Sequence, residues 1–156
     1  MLLRALAKLA PSGMTVSLYE GVGELPHFNV DLDTDSPPST VDAFRSLLRS
    51  ADAVVISSPE YARGVPGSLK NALDWIVSSG ELVDKPVILI NASTTGGETA
   101  QAQLIGTLKM MTANVLEKAS LTGAMVRKAL DEHGNVVEPE LRDRLRGCLE
   151  ALRVGG

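Results

Sequence analysis

Apolar residues recur along the chain at a spacing of three to four positions in five segments. This spacing places apolar side chains on one face of a helix and therefore predicts helices. The first predicted helix starts at Leu2 and is stopped by Pro11. The other predicted helices cover residues 39–50, 68–77, 98–111 and 139–152.

Shorter apolar segments between these helices predict β-strands. Residues 53–57 and 85–91 are nearly unbroken apolar runs, as expected for parallel strands covered on both faces. Residues 14–19 alternate between apolar and polar side chains, and residues 114–116 form a short fourth strand. Because strands alternate with helices, we expect a parallel, doubly wound α/β sheet in a single domain covering residues 1–156.

Two connections lack a periodic apolar pattern. Residues 21–38 form a long segment rich in Asp and Pro, and long loops of this kind are typically functional or mobile. Residues 126–137 contain the turn-like sequence D-E-H-G-N. Neither connection suggests a second domain.

Composition excludes several classes of protein. The 156 residues carry a net charge of -4, which argues against a large nucleic-acid footprint. The apolar runs are too short to cross a bilayer, so we expect no membrane segment. Two histidines and one cysteine offer no metal-ligand cluster. Because Cys148 is the only cysteine, an internal disulfide is impossible, which fits a cytoplasmic protein.

The most informative motif follows the predicted strand 53–57. Residues 58–75 read S-P-E-Y-A-R-G-V-P-G-S-L-K-N-A-L-D-W. Proline and glycine restrict the path of this loop, and Ser68 is suited to begin the next helix. In open α/β sheets, ligands bind beyond the carboxyl ends of strands. Glu60 and Tyr61 on this loop are therefore candidate ligand contacts.

This segment resembles the flavin-contacting loop of NADPH-dependent FMN reductases, a flavodoxin-like family that includes quinone, chromate and azo-dye reductases. Their signature is S/T-P-E-Y, a short turn and P-G-x-L-K-N-A-x-D-W. The resemblance extends over roughly residues 2–153 and implies a flavodoxin-like three-layer α/β/α fold. It also implies bound FMN, a hydride from NADPH or NADH, and a small-molecule acceptor such as a quinone, flavin, metal oxyanion or dye.

The resemblance implies that two loops contact the cofactor: Pro59, Glu60, Tyr61 and Ala62 in the first, and Ser93, Thr94, Thr95, Gly96 and Gly97 in the second. The first loop would present backbone N–H groups to the polar edge of the flavin ring, and the second would cover its other polar side. Flavin performs the hydride chemistry itself, so no catalytic side chain is implied. Other interpretations remain open: Glu60 fits a surface carboxylate or a subunit contact equally well, and residues 93–95 suit a helix cap.

In the resembling family, the helix that contains Trp75 helps to build a dimer. We therefore expect a homodimer or homotetramer through this helix, with core packing of Trp75 as the alternative. Arg63 is a candidate contact for the phosphates of NADPH, because a guanidinium matches phosphate geometry. A solvated loop arginine is the competing interpretation.

The start of the chain differs from the family pattern. Relatives begin with a strand and a G-S-x-R-x-x-S-x-N loop that binds the FMN phosphate, whereas residues 1–6 resemble the inside of the next helix. The first strand is central in a flavodoxin-like sheet, so we expect a sheet that lacks it. We favour an upstream segment missing from this sequence. One alternative is that residues were not observed. The other is a true start at Met1, with the two neighbouring strands paired directly or completed by a strand from another subunit.

A second functional hypothesis follows from this difference: a non-catalytic flavodoxin-like binding or assembly module that has lost flavin. An electron-transfer flavodoxin is disfavoured because aromatic residues make up only 3% of the chain. A Rossmann-type dehydrogenase is disfavoured because no G-x-G-x-x-G follows a predicted strand.

Overall fold

A computed structural model describes residues 1–91, 93, 96–122 and 129–154 of the protein. Its helices are α1 (Leu2–Ala7), α2 (Ser39–Ser50), α3 (Gly67–Asp74), α4 (Glu98–Met110) and α5 (Pro139–Val154). Its strands are β1 (Val54–Ser58), β2 (Pro86–Asn91) and β3 (Asn114–Val115). Short 3₁₀ turns occur at Gly21–Glu24, Val30–Leu32 and Glu117–Ala119.

The three strands form a parallel sheet in the order β1-β2-β3. Val54 pairs with Val87 at one end of β1, and Ser58 pairs with Asn91 at the other. The carboxyl ends of β1 and β2 therefore lie side by side. The segments that follow these two strands must leave the sheet next to each other.

Helices cover both faces of the sheet, which confirms the predicted flavodoxin-like α/β/α architecture. All six residues of β2 are buried. Ile88 and Ile90 pack with α1 and α5, whereas Val87 and Leu89 pack with α2, α3 and α4. This division follows from the strand geometry, because successive side chains point to opposite faces.

The prediction of a strand at residues 14–19 is wrong. The segment has no ladder partner among the described residues, and a strand is defined by such pairing. Its apolar and polar positions do not alternate between inside and outside, because Leu18 is exposed together with Thr15 and Ser17. Val16 packs against the core that contains α1 and α5, while the ring of Tyr19 stacks on Phe44 at 4.9 Å on the other side.

The long connection 21–38 is fixed to the helices on one face. Arg45 of α2 is buried and donates hydrogen bonds to the carbonyl of Trp75 and to Asp33 Oδ1, the latter at 2.6 Å. The indole Nε1 of Trp75 donates to the Pro26 carbonyl at 2.8 Å. Hydroxyl Oγ of Ser78 donates to Asp33 Oδ2. The connection is therefore an ordered strap over α3 rather than a loose loop.

Trp75 itself is fully buried within the chain, with 0% of its surface exposed. Core packing is thus the correct interpretation of this side chain. The expectation of an oligomer formed through the helix that contains Trp75 stays a prediction, because burial of the indole under the strap does not test it.

Within residues 1–91, 96–122 and 129–154, no helix has both the length and the apolar character that a membrane crossing requires. The same part of the chain holds no group of three or more His, Cys, Asp or Glu side chains arranged to bind a metal ion. Cys148 is a free, buried thiol.

Candidate functional site

The loops after β1 and β2 are joined by side-chain hydrogen bonds. The backbone N–H of Glu60 donates to Ser93 Oγ at 2.8 Å. The N–H of Ser93 in turn donates to Asn91 Oδ1 at 2.8 Å, and Asn91 Nδ2 donates to the Gly97 carbonyl at 2.6 Å. Residues that the sequence assigned to two separate cofactor loops therefore belong to one connected set.

Asn91 organises the second loop, although it is not among the site residues predicted from the sequence. Its side chain is 4% exposed and is satisfied by both of its loop partners. Gly97 packs directly against this amide with a left-handed φ of 106°. An amide that ends an otherwise apolar strand was the available sequence signal, because a buried polar side chain requires specific partners.

The tip of the first loop is a tight two-residue turn. Tyr61 and Gly64 exchange backbone hydrogen bonds of 3.1 and 2.9 Å around Ala62 and Arg63. Both central residues have positive φ, 49° and 60°, the pattern of a type I′ turn. Such turns favour Asn and Gly, so alanine and arginine hold this geometry under strain. Strained backbone of this kind concentrates at functional sites.

Two contacts attach this loop to α4. Glu60 Oε2 accepts a hydrogen bond from the N–H of Ala100 in the first turn of the helix at 2.9 Å. Gln103 Nε2 donates to the Arg63 carbonyl at 3.4 Å. A carboxylate at a helix N-terminus satisfies a free N–H and interacts favourably with the helix dipole. The carboxylate of Glu60 is therefore engaged within the chain.

The tip turn also carries two backbone N–H donors on exposed residues. The N–H groups of Glu60 and Tyr61 have internal acceptors, whereas Ala62 and Arg63 are exposed and their N–H groups have no acceptor among the described residues. Tyr61 is 67% exposed beside them. An isoalloxazine ring has a polar edge that needs such donors, so the turn fits the flavin that the resemblance implies.

A small, partly open cleft of about 10 Å³ lies between the ends of β1 and β2 and the start of α4. Pro59, Asn91 and Gln101 contribute to its lining, and Gln101 Oε1 is buried without a hydrogen-bond partner in the described part of the chain. Enclosed ligand sites typically measure about 300–1,000 Å³. This cleft is far smaller and does not enclose a flavin ring.

The other predicted site residues have these positions. Pro59 is half-buried, Ser93 and Gly97 are buried, and Gly96 is exposed. Thr94 and Thr95 lie outside the described residues. Arg63 is exposed, as a contact for a diffusing nucleotide must be.

The segment at residues 26–30 lies on the helix that follows the first loop. The N–H of Phe28 donates to Asn71 Oδ1 at 2.8 Å, and its ring packs edge-on against Trp75 at 5.0 Å. Asn71 Nδ2 also donates to the Pro26 carbonyl. These bonds explain why asparagine and tryptophan occur in the N-A-L-D-W part of the motif: they hold this segment in place.

Comparison with known proteins agrees with the fold and the motif. Residues 1–128 match the model of the family described as NADPH-dependent FMN reductase. The chain is 34% identical to the quinone reductase of Escherichia coli strain K12, over 97% of this chain and 84% of that protein. It is 31% identical to an NAD(P)H-dependent FMN reductase of Pseudomonas aeruginosa, over 94% of this chain and 80% of that protein.

A solved structure shows the same similarity. The flavoenzyme NAD(P)H:acceptor oxidoreductase FerB from Paracoccus denitrificans superposes with a TM-score of 0.84 at 29% identity, covering 97% of this chain and 85% of that chain. The family model, the relatives and this structure agree on an oxidoreductase that uses FMN and NAD(P)H. The chain belongs to the NADPH-dependent FMN reductase family.

Proposed function

We propose that this protein transfers electrons from NADPH or NADH to a quinone, with FMN held across residues 59–62 and 93–97. The observation that carries the proposal is the pair of hydrogen-bonded loops at the carboxyl ends of β1 and β2, with Ala62 and Arg63 exposed and their N–H groups without an acceptor among the described residues. Two relatives support a quinone as acceptor: the quinone reductase described above, and a 2-hydroxy-1,4-benzoquinone reductase of a Burkholderia species at 33% identity.

The residues of the chain bind and orient, because bound FMN supplies the hydride chemistry. In this proposal the backbone of Ala62 and Gly96 would hold the ring, and the exposed side chain of Tyr61 would border the acceptor. Arg63 lies at the rim, where its guanidinium attracts the phosphates of the nicotinamide nucleotide. Thr94 and Thr95 complete the second loop in this proposal.

We also propose that the protein forms a homodimer or homotetramer around the C-terminal end of α3. Val30, Leu32 and Val77 are exposed apolar residues, between 45% and 71% accessible, in and beside the strap that covers Trp75. Scattered apolar residues are normal on a surface, whereas a contiguous group favours association. The NAD(P)H requirement fits the cytoplasm as the place of action.

The acceptor can be tested by steady-state kinetics on the protein supplied with FMN. We expect NADPH oxidation with 1,4-benzoquinone to have a kcat/KM at least ten times higher than with chromate or an azo dye. Free FMN at the same concentration is the control for non-enzymatic reduction. Equal values for all acceptors would contradict quinone specificity, and no NADPH oxidation above the control would contradict the reductase activity.

A further inference from the structure

The backbone and the side chain of Glu60 each form a hydrogen bond with a different part of the chain. Its backbone N–H donates to Ser93 Oγ at 2.8 Å, and its Oε2 accepts from the N–H of Ala100 at 2.9 Å. The first contact attaches Glu60 to the loop after β2, and the second attaches it to the N-terminus of α4. One residue therefore fixes the first cofactor loop relative to two other parts of the site.

The tip turn begins at the next residue. Ala62 and Arg63 adopt left-handed conformations that are unfavourable for side chains other than glycine. Strained backbone persists only where surrounding contacts over-determine it. The carboxylate of Glu60 on one side of the turn, and the hydrogen bond of Gln103 to the Arg63 carbonyl on the other, are the contacts that attach the turn to α4.

We propose that Glu60 is a positioning residue for the flavin, which acts by clamping the first cofactor loop to α4 and does not itself contact the ring. The clamp orients the exposed turn of Ala62 and Arg63, with its two free N–H groups, before the cofactor arrives. Pre-orientation lowers the cost of binding, because less freedom is lost when the ligand arrives. This inference rests on the proposed function, since it assigns the flavin to these loops.

A purely structural role for Glu60 makes a different prediction. An acidic residue at the first turn of a helix stabilises that helix wherever it is located. Glu98 is also acidic, is exposed, and lies in the first turn of α4, but none of its hydrogen bonds reaches the first loop in the described part of the chain. Loss of Glu98 should therefore weaken the helix start while leaving the loop in place.

The test compares Glu60→Ala, Glu60→Gln and Glu98→Ala with the unmodified chain. FMN affinity is measured by quenching of flavin fluorescence, and the amide signals of residues 62, 63 and 100 are followed by NMR without flavin. We expect Glu60→Ala to raise the Kd for FMN at least tenfold and to shift all three amides. Glu60→Gln keeps an acceptor oxygen and should stay within threefold, and Glu98→Ala should leave the Kd and the amides of residues 62 and 63 unchanged.

Two results would contradict the proposal that Glu60 clamps the first loop to α4. The first is a Kd for Glu60→Ala within twofold of the unmodified chain. The second is an equal loss in Glu60→Gln and Glu60→Ala, which would indicate that the charge itself meets the ligand. If the unmodified chain binds no FMN, the proposed function fails separately. The clamp is then judged on the flavin-free amides alone, and unchanged signals at residues 62 and 63 in Glu60→Ala would refute it.

Discussion

The side-chain amide of Asn91 occupies the space that a side chain at position 97 would need. An ideal Cβ built on Gly97 would lie 2.0 Å from Asn91 Nδ2 and 2.5 Å from its Cγ. Real Cβ atoms essentially never approach other heavy atoms so closely. The buried amide and the glycine therefore require each other, and together they give the loop after β2 its shape.

We expect Gly97→Ala to destabilise the protein by about 3 kcal/mol, because it adds this overlap to the strain of a left-handed backbone. Urea unfolding measures the loss. In an Asn91→Ala background the same substitution should cost less, since the overlapping atoms are gone. Gly106→Ala is the control: Gly106 is inside α4 with nothing within 4 Å of its Cβ position, so alanine should be neutral or stabilising. Equal costs of Gly97→Ala in both backgrounds would contradict the contact.

Replacing alanine by glycine should affect stability differently in the tip turn and inside a helix. Ala62→Gly should stabilise the protein by about 0.5–1 kcal/mol, or leave it unchanged, because glycine adopts a φ of 49° without a steric penalty. Ala43→Gly in the exposed face of α2 should destabilise it by about 0.5–1 kcal/mol, as glycine does inside helices. Thermal unfolding compares the two, and a similar loss at both positions would show that the turn is not strained.

The hydrogen bonds of Asp33 predict that the free energy of unfolding depends on pH in the acid range. Hydrogen bonds from Ser78 and Arg45 lower the pKa of this carboxyl below its ordinary value of 3.8, so the folded protein favours the charged form. The stabilisation is therefore complete above about pH 4 and is lost as the pH falls through the lowered pKa. Asp33→Asn should remove this dependence. It should also cost about 3 kcal/mol at pH 7, since it breaks a buried ion pair with Arg45.

Asp31→Asn is the matched control for Asp33→Asn, because Asp31 lies in the same strap but is exposed. We expect its effect to stay within about 0.5 kcal/mol. Unfolding by urea at pH 3 and pH 7 gives both comparisons. The same pH dependence in Asp33→Asn as in the unmodified chain would assign the acid sensitivity to other carboxyls.

The burial of Cys148 predicts that its thiol reacts slowly with thiol reagents in the folded protein. Its side chain is 1% exposed and its Sγ donates to the Ala119 carbonyl, and burial raises the pKa of the thiol to about 11. The thiolate is the reactive form, so iodoacetamide at pH 8 should label the native protein at least a hundred times more slowly than the protein in 8 M urea. Rapid labelling of the native protein would show that the α5 side of the core opens readily.

The sequence predicted the elements whose patterns are set locally. α2 was predicted with its observed bounds, and α4 and β2 within one residue, because their apolar residues face a core in a regular period. The segment at residues 14–19 was predicted wrongly, since an alternating sequence pattern does not specify whether a partner strand is present.

The sequence predicts which residues lie on the two loops, but not how these residues are connected to each other. The motif at residues 58–75 indicated the first loop, but not that the carboxylate of Glu60 reaches Ala100, 40 residues further along the chain. Asn91 was missed for the same reason: its role depends on the path of the loop that it holds. Hydrogen bonds between distant residues have no local pattern, so only the folded chain shows them.

The central claim is that FMN binds at the carboxyl ends of β1 and β2. The most direct test is a titration of the ¹⁵N-labelled protein with FMN, followed by NMR of its backbone amides. We predict the largest shifts at residues 62, 63 and 96, with little change at the opposite end of the sheet around residues 54 and 86. Largest shifts at that opposite end, or none at residues 62 and 63 under saturating FMN, would contradict the account.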